Sequence, residues 1–323
     1  MKKISNLNHR LYYEMLRIRK IEEKISNLYT EWEMRCPVHL SIGQEAISVG
    51  VSENLKKNDK VLSAHRSHAN YLAKGGNLKK MLAELYGKET GCAMGKGGSM
   101  HLTDQNNGFV AAVPIVGSII PIAAGLSWSN MQQRNNSIIT VFLGEGSTEE
   151  GVFTETIDFA VLKSLPMLFV CENNFYSVNT SLSARQSSKR IIHKIVKSHG
   201  MISFHGNGNN VEEVNLLTKK SIDIIKNKNQ PVFLEFYTYR WLEHCGPFWD
   251  ENLGYRPEGE LKKWIKKCPI KNLEKKLLTN NSKFKNLIKK YNNEIDLEIK
   301  QAFMFAKKSK FPNKKYLFEH IYK

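Results

Sequence analysis

The sequence predicts an α/β fold, a parallel sheet covered by helices on both faces, and three observations carry that prediction. First, SIITVFL at 137–143, MLFVC at 167–171 and PVFLEFYTY at 231–239 are short, nearly all apolar and rich in β-branched or aromatic residues. A strand packed on both sides has no polar face, so its sequence loses the alternation of a half-exposed strand. Second, residues 152–163 carry Phe153, Ile157, Ala160 and Val161 at helical spacings between the first two runs, and Pro166 stops the helix. Third, strand, helix, strand in that order implies crossovers that lay helices over the sheet.

The other elements follow in chain order. Residues 8–30 put Leu11, Met15, Ile18, Ile21, Ile25 and Leu28 on one face, an amphipathic entry helix. A second helix is predicted across 67–86, ending at Gly87, where a C-terminal glycine belongs. The glycine-rich run Gly91–Gly98 reads as a loop. Residues 108–130 contain no charge, yet Pro114, Pro121, Gly117 and Gly125 interrupt them and no basic cluster flanks them. They read as a buried segment beside the active site, with no membrane span. From residue 258 to 323 the pattern is a lysine-rich helical extension. With no internal repeat and no long linker, residues 1–323 are expected to form a single domain.

Composition sets limits on function. Hydrophobic residues make up 41% and charged residues 24% of 323 positions, too apolar for general disorder. The net charge of +17 raises a nucleic-acid surface as a possibility, but its distribution argues against one. All ten arginines lie between Arg10 and Arg256, whereas 271–323 holds fourteen lysines and five acids, a solvated lysine-rich surface. Five cysteines, no C-x-x-C pair and no secretory leader before Asn8 predict a cytoplasmic protein.

Two loops at the carboxyl ends of the first two predicted strands hold the informative residues: Gly144-Glu145-Gly146 and Glu172-Asn173-Asn174-Phe175-Tyr176. Glycines flanking a carboxylate let backbone approach a ligand, and a helix starting just beyond would turn free amides toward an anion such as a diphosphate. Mg2+ takes one or two protein carboxylates or amides and completes its octahedron with phosphate and water. Glu145 and Asn174, 29 positions apart (174 − 145), could supply them, since a strand-helix-strand unit of that length sets the loops side by side. Taken as residue types alone, these positions read first as turn chemistry.

The stretch GEGSTEEGVFTETIDFAVLKSLPMLFVCENNFYSVNT resembles the thiamine-diphosphate signature, which runs from G-D-G to N-N about thirty residues later. Around it lie HLSIGQEA at 39–46, HRSHANYLAKGG at 65–76, GKGGSMHL at 95–102, VGSIIPIAAG at 116–125, TYRWLEHCGP at 238–247 and GYR at 254–256. Over residues 8–260 these ordered blocks make the chain similar to the alpha subunit of the thiamine-diphosphate-dependent component of 2-oxoacid dehydrogenase complexes. The resemblance implies a transketolase-like diphosphate-binding domain with Glu145, Asn174 and the Tyr176 carbonyl as Mg2+ ligands. Glu145 stands where aspartate is commoner. The resemblance puts His65, Arg66, Gly144, Gly146, Ser147 and His244 at the cofactor, with Val116 against its aminopyrimidine ring and Arg240, Tyr255 and Arg256 in the covering loop. His65 replaces a common tyrosine, so its protonation is expected to matter near pH 6–7. His244 and His68 are the implied catalytic histidines, and His39 and His101 fall in matched blocks.

The implied activity is oxidative decarboxylation of a pyruvate-type 2-oxoacid or of acetoin, with acyl transfer to a lipoyl carrier. The alternative is a non-oxidative carboligase passing an aldehyde unit to a keto sugar or another carbonyl, since LEHCGPFW departs from the serine-containing loop of mitochondrial members. The glutamate that activates the cofactor in this family belongs to a separate beta subunit. An alpha-two beta-two heterotetramer and a lipoyl-bearing acyltransferase are therefore the implied partners.

Overall fold

A computed structural model describes residues 4–319. Helix α1 (Leu7–Tyr29) starts at Asn6, whose side chain accepts the His9 amide, and buries Leu11, Met15, Ile18, Ile21 and Ile25 as the spacing predicts. Helix α2 (Glu45–Ser52) is buried throughout and leads to strand β1 (Lys60–Ala64). The single helix expected across 67–86 is two helices, α3 (His68–Ala73) and α4 (Leu78–Leu85). Gly75, with φ +94°, breaks the first, and the Asn77 side chain caps the second by accepting the Lys80 amide. Gly87 ends α4 in the left-handed conformation, at φ +66°.

Strand β2 (Phe109–Val113), helix α5 (Ile119–Gln132), strand β3 (Ile139–Gly144), helix α6 (Gly151–Leu162) and strand β4 (Met167–Asn173) follow. A small hairpin, β5 (Tyr176–Ser177) with β6 (Thr180–Ser181), precedes α7 (Leu182–Arg185) and α8 (Ile192–Ser198). Strand β7 (Ile202–Asn207), helix α9 (Val211–Lys228) and strand β8 (Val232–Tyr237) complete the sheet. Helices α10 (Glu260–Ile265), α11 (Pro269–Asn280) and α12 (Phe284–Lys308) form the C-terminal extension.

The six-stranded sheet runs β2-β1-β3-β4-β8-β7, and every pairing is parallel. The three predicted strands are the adjacent trio β3-β4-β8. Three strands were missed: β1 carries Lys60 and Ser63, β7 is an edge strand with exposed His205 and Asn207, and β2, the other edge strand, is an apolar run (FVAAV) read only as part of the buried segment 108–130. Ile139, Val141, Leu143, Phe169 and Phe233 face a core beneath α5, α6 and α8. Phe142, Leu168, Val170, Leu234 and Phe236 face the other core, with α1, α2, α4, α9, α11 and α12. Period-two alternation thus survives as a choice between two buried faces, and the expected fold class holds.

The extension contributes core as well as charge. Helix α12 packs on α4 and α1 and buries Tyr291, Ile295, Ile299 and Phe303. Its lysines turn outward: Lys307 reaches Glu31 and Glu33, at 2.9 and 2.6 Å. The glycine-rich loop is ordered by one buried carboxylate, Glu84, which accepts the amides of Ala93, Gly95, Gly97 and Gly98 at 2.7–3.0 Å. Among the described residues no helix is long and apolar enough to cross a membrane.

From β1 the chain crosses to β2 on one side, and from β3 it crosses to β4 on the other. Strand order therefore reverses between β1 and β3, which opens a crevice beyond their carboxyl ends.

Candidate active site

A cavity opens in that crevice. Ala64, His65 and Arg66 line it from the end of β1, Gly144, Glu145, Gly146 and Ser147 from β3, and Glu172, Asn174, Tyr176 and Ser177 from β4 and its hairpin. Gln44, Val116 and His244 close it. Ten of the expected cofactor and metal residues are thus brought together from five separate stretches of chain.

Glu145 and Asn174 meet because β3 and β4 run in register, with Gly144 opposite Glu172. The second loop does use turn chemistry: Asn173 and Asn174 accept the amides of Phe175 and Tyr176 at 3.2 and 3.1 Å around Phe175 at φ +68°. A bulky residue in that region is strained and persists where surroundings over-determine it, commonly at a functional site. Glu145 makes no such turn. Its side chain is 2% exposed and bound to Arg185 at 2.6 Å. Burial pushes its carboxyl up to about 7, and Arg185 offsets only part of that rise. Burial also pushes Glu172 up to about 7, against the lowering effect of Asn70 and Arg66. Two carboxyls shifted so far by burial in one cavity mark a candidate functional site. The helix expected over residues 152–163 forms as α6, just beyond this loop. A 3₁₀ turn, Glu145–Glu149, intervenes, and the Thr148 hydroxyl donates back to the Glu145 carbonyl at 2.7 Å.

The opposite wall is basic and aromatic. Arg66 donates to the carbonyls of Leu40 at 2.8 Å and His244 at 3.0 Å, and its Nη2 lies 3.3 Å from His244 Nδ1. Since arginine only donates, a neutral His244 accepts at Nδ1 and carries its proton on Nε2. His39, His65 and His244 stack edge to face, with ring centroids 4.7, 5.1 and 5.3 Å apart. Burial first, then Arg66, holds His65 down to about 4 and His244 to about 3, and burial with Arg66 holds His39 to about 2. Burial beside Arg66 therefore takes His65 below the pH 6–7 range expected of it.

A histidine neutral when folded binds fewer protons than when unfolded, so its contribution to stability falls as pH drops below the unfolded value of about 6.5. Glu145 and Glu172 act in the opposite sense, since their raised values favour the folded state as pH falls through 7. A variant comparison isolates the histidine: His65→Tyr should gain about 2 kcal/mol on wild type between pH 7.5 and pH 5. Parallel urea titrations at the two pH values measure this, and a constant difference would remove His65 from the account.

His68, expected to be catalytic, and Arg240, expected at the cofactor, lie outside the cavity lining. His68 is 0% exposed, with Nδ1 3.0 Å from Glu22 and Nε2 2.7 Å from Ser99, so both ring nitrogens are engaged away from it. Arg240, also buried, donates to the carbonyls of Leu242 and Val178, to Asp250 and to the Tyr255 hydroxyl, which fastens the 240–256 loop from beneath. His101 is exposed on the Gly97 carbonyl, whereas His39 packs on the lining histidines. The residues that sequence reasoning missed, Gln44, Glu172 and Ser177, lie inside or beside the quoted motifs; their signal was position, which residue type alone does not weigh.

A doubly covered parallel sheet with an acidic wall facing an arginine-histidine wall at its switch point is the arrangement of an α/β enzyme whose ligand crevice presents both signs of charge. The chain belongs to the dehydrogenase E1 component family, whose model matches residues 13–315. It is 34% identical to the pyruvate dehydrogenase E1 component subunit alpha of Rickettsia bellii (strain RML369-C) over 311 residues, 96% of this chain and 94% of that one. The same subunit of Porphyra purpurea is 32% identical, with 95% and 92% covered. The testis-specific mitochondrial form of Rattus norvegicus is 30% identical, with 96% and 78% covered.

Proposed function

We propose that this chain is the alpha subunit of a thiamine-diphosphate-dependent 2-oxoacid dehydrogenase of the pyruvate type, an oxidoreductase that decarboxylates its substrate and passes the acyl group to a lipoyl carrier. The observation that carries this reading is the meeting of Glu145 and Asn174 with Arg66, His65 and His244 across one cavity.

The donor set fits magnesium and a diphosphate. The acidic side offers hard oxygens, Glu145, Asn174 and the Tyr176 carbonyl, and a cation there would relieve the cost of the buried carboxyls. Arg66, His65 and the Nε2–H of His244 offer donors to phosphate oxygens. Gly144 meets nothing within 4 Å where a side chain would stand, and a Cβ on Gly146 would come within 3.0 Å of Ser177 Oγ. The backbone there is free to approach a ligand closely, with Ser147 beside it. Val116, 44% exposed, presents the aliphatic surface for the aminopyrimidine.

Bound thiamine diphosphate supplies a nucleophilic carbon and an electron sink for loss of carbon dioxide from a 2-oxoacid. This chain's residues bind and orient. Arg66 fixes the His244 tautomer, so His244 is the group able to hold or give a proton at Nε2. His68, sealed between Glu22 and Ser99, positions the β1 loop. Arg240 and Arg256 hold the covering loop that carries His244. The family resemblance supplies a beta subunit as partner, with the activating glutamate, and the assembly we assign is alpha-two beta-two. Exposed Ile115, Val116, Ile122 and Leu162 offer apolar surface for it. A lipoyl-bearing acyltransferase is the assigned acceptor, and five free thiols suit the reducing cytoplasm we assign.

The test is titration calorimetry of thiamine diphosphate into the chain purified with its beta subunit, with and without Mg2+, followed by pyruvate turnover with an artificial electron acceptor. Magnesium-dependent binding and pyruvate oxidation are expected. An intact complex that binds no cofactor would overturn the reading.

A further inference from the structure

We propose that His39, His65 and His244 form a three-imidazole site for a borderline transition-metal ion such as Zn2+ or Co2+, and that an ion held there shuts the diphosphate out of the cavity. One nitrogen from each ring lies within 4.8 Å of one from each of the others. The rings come from three separate points: the segment before α2, the loop after β1, and the 240–256 loop fastened by Arg240 and Arg256 on Asp250. His39 is 6% exposed, and its Nδ1 is buried with no hydrogen-bond partner. An unpartnered buried ring nitrogen among two other imidazoles is a donor lone pair or N–H with an unmet need.

The geometry is close to what such an ion requires. Zinc–nitrogen bonds of about 2.0–2.1 Å in a tetrahedron put ligand nitrogens about 3.3–3.4 Å apart and ring centroids about 5.2 Å apart. The observed centroid separations of 4.7, 5.1 and 5.3 Å already bracket the latter, so ring rotation rather than backbone movement brings the nitrogens in. All three rings are held in the neutral form, the form that ligates. Arg66 engages Nδ1 of His244 and leaves Nε2 free, while its charge weakens the site for every cation. Metals with strong imidazole affinity overcome that charge, whereas Mg2+, which prefers hard oxygen, does not. Three protein ligands leave a fourth position open. Because His65 and His244 also serve the diphosphate, one ion there competes with it; this competition rests on the cofactor reading above, whereas the metal site does not.

The experiment uses the full chain purified with its beta subunit, stripped of cofactor and metal with a chelator, and titrated with Co2+ at pH 7.5. One equivalent should produce the visible bands of four-coordinate cobalt, and His39→Ala and His65→Tyr should each abolish them. Should His39→Ala fail to fold by circular dichroism, His65→Tyr decides. One equivalent of Zn2+ should weaken thiamine-diphosphate binding at least about tenfold, reversibly with chelator, and leave His39→Ala unaffected. A pale six-coordinate spectrum, bands that persist in the folded variants, or an intense thiolate-to-cobalt band assigning the ion to Cys245 would overturn the site. Cobalt bands with unimpaired cofactor binding would overturn the competition. If the complex free of transition metal and resupplied with Mg2+ binds no thiamine diphosphate at all, the cofactor reading fails and the cobalt spectrum still decides the histidines.

Discussion

Asn174→Ala is expected to weaken magnesium-dependent binding of thiamine diphosphate by about 100-fold or more. Loss of a partner that merely supports a metal ligand costs about 10–100-fold in metal affinity, and a ligand itself costs at least the upper end of that range. Asn174 also accepts the Tyr176 amide at 3.1 Å, so the alanine variant loosens the turn that brings the Tyr176 carbonyl to the site. The two losses act on the same three proposed ligands and reinforce one another. Asn174→Asp keeps an oxygen in place and should recover most of the affinity, which a purely structural role for the amide nitrogen would not allow. That nitrogen has only a long contact to Gln44, at 3.4 Å. Calorimetry with and without Mg2+ reads both variants; undiminished binding by Asn174→Ala would remove Asn174 from the metal site.

Asp250→Ala should destabilise the protein by about 3–5 kcal/mol, the usual consequence of removing one partner from a buried ion pair. Asp250 Oδ2 receives Arg240 at 3.1 Å, Arg256 at 2.9 Å and the Tyr255 hydroxyl, and both arginine pairs are at most 2% exposed. With the carboxylate gone, two guanidinium groups remain in the protein with no counter-charge. Arg240 and Arg256 also donate to the Leu242 carbonyl, so the damage should concentrate in the 240–256 loop, which carries His244. Urea unfolding measures the global cost, and hydrogen exchange should show that loop opening first. A loss under about 1 kcal/mol would mean that water reaches the arginines and that the network does not hold the loop.

How much of this was legible beforehand depended on how local the cause was. Strands β3, β4 and β8 were readable because both faces are buried and the demand falls on every residue. Strands β1 and β7 were not, because an edge position or a polar end relaxes that demand. The split of the 67–86 helix was written locally in Gly75 and Asn77, but amphipathic spacing on either side concealed it. At the site, the paired loops could be inferred from the length of one strand-helix-strand unit, which places Glu145 beside Asn174 whatever else the chain does.

Residue order therefore decided the fold class, the strand-end loops and the donor types that meet in them, because those follow from periodicity, turn chemistry and residue type within short stretches. Only the tertiary structure could decide which histidines cluster at the cavity. His68 sits three residues beyond His65 yet is spent on Glu22 and Ser99, while His39 and His244 join His65 from 26 and 179 positions away (65 − 39 and 244 − 65). Burial and counter-charge are sums over neighbours from the whole chain. The protonation of His65, the raised carboxyls of Glu145 and Glu172 and the structural duty of Arg240 therefore emerge only once those neighbours are assembled.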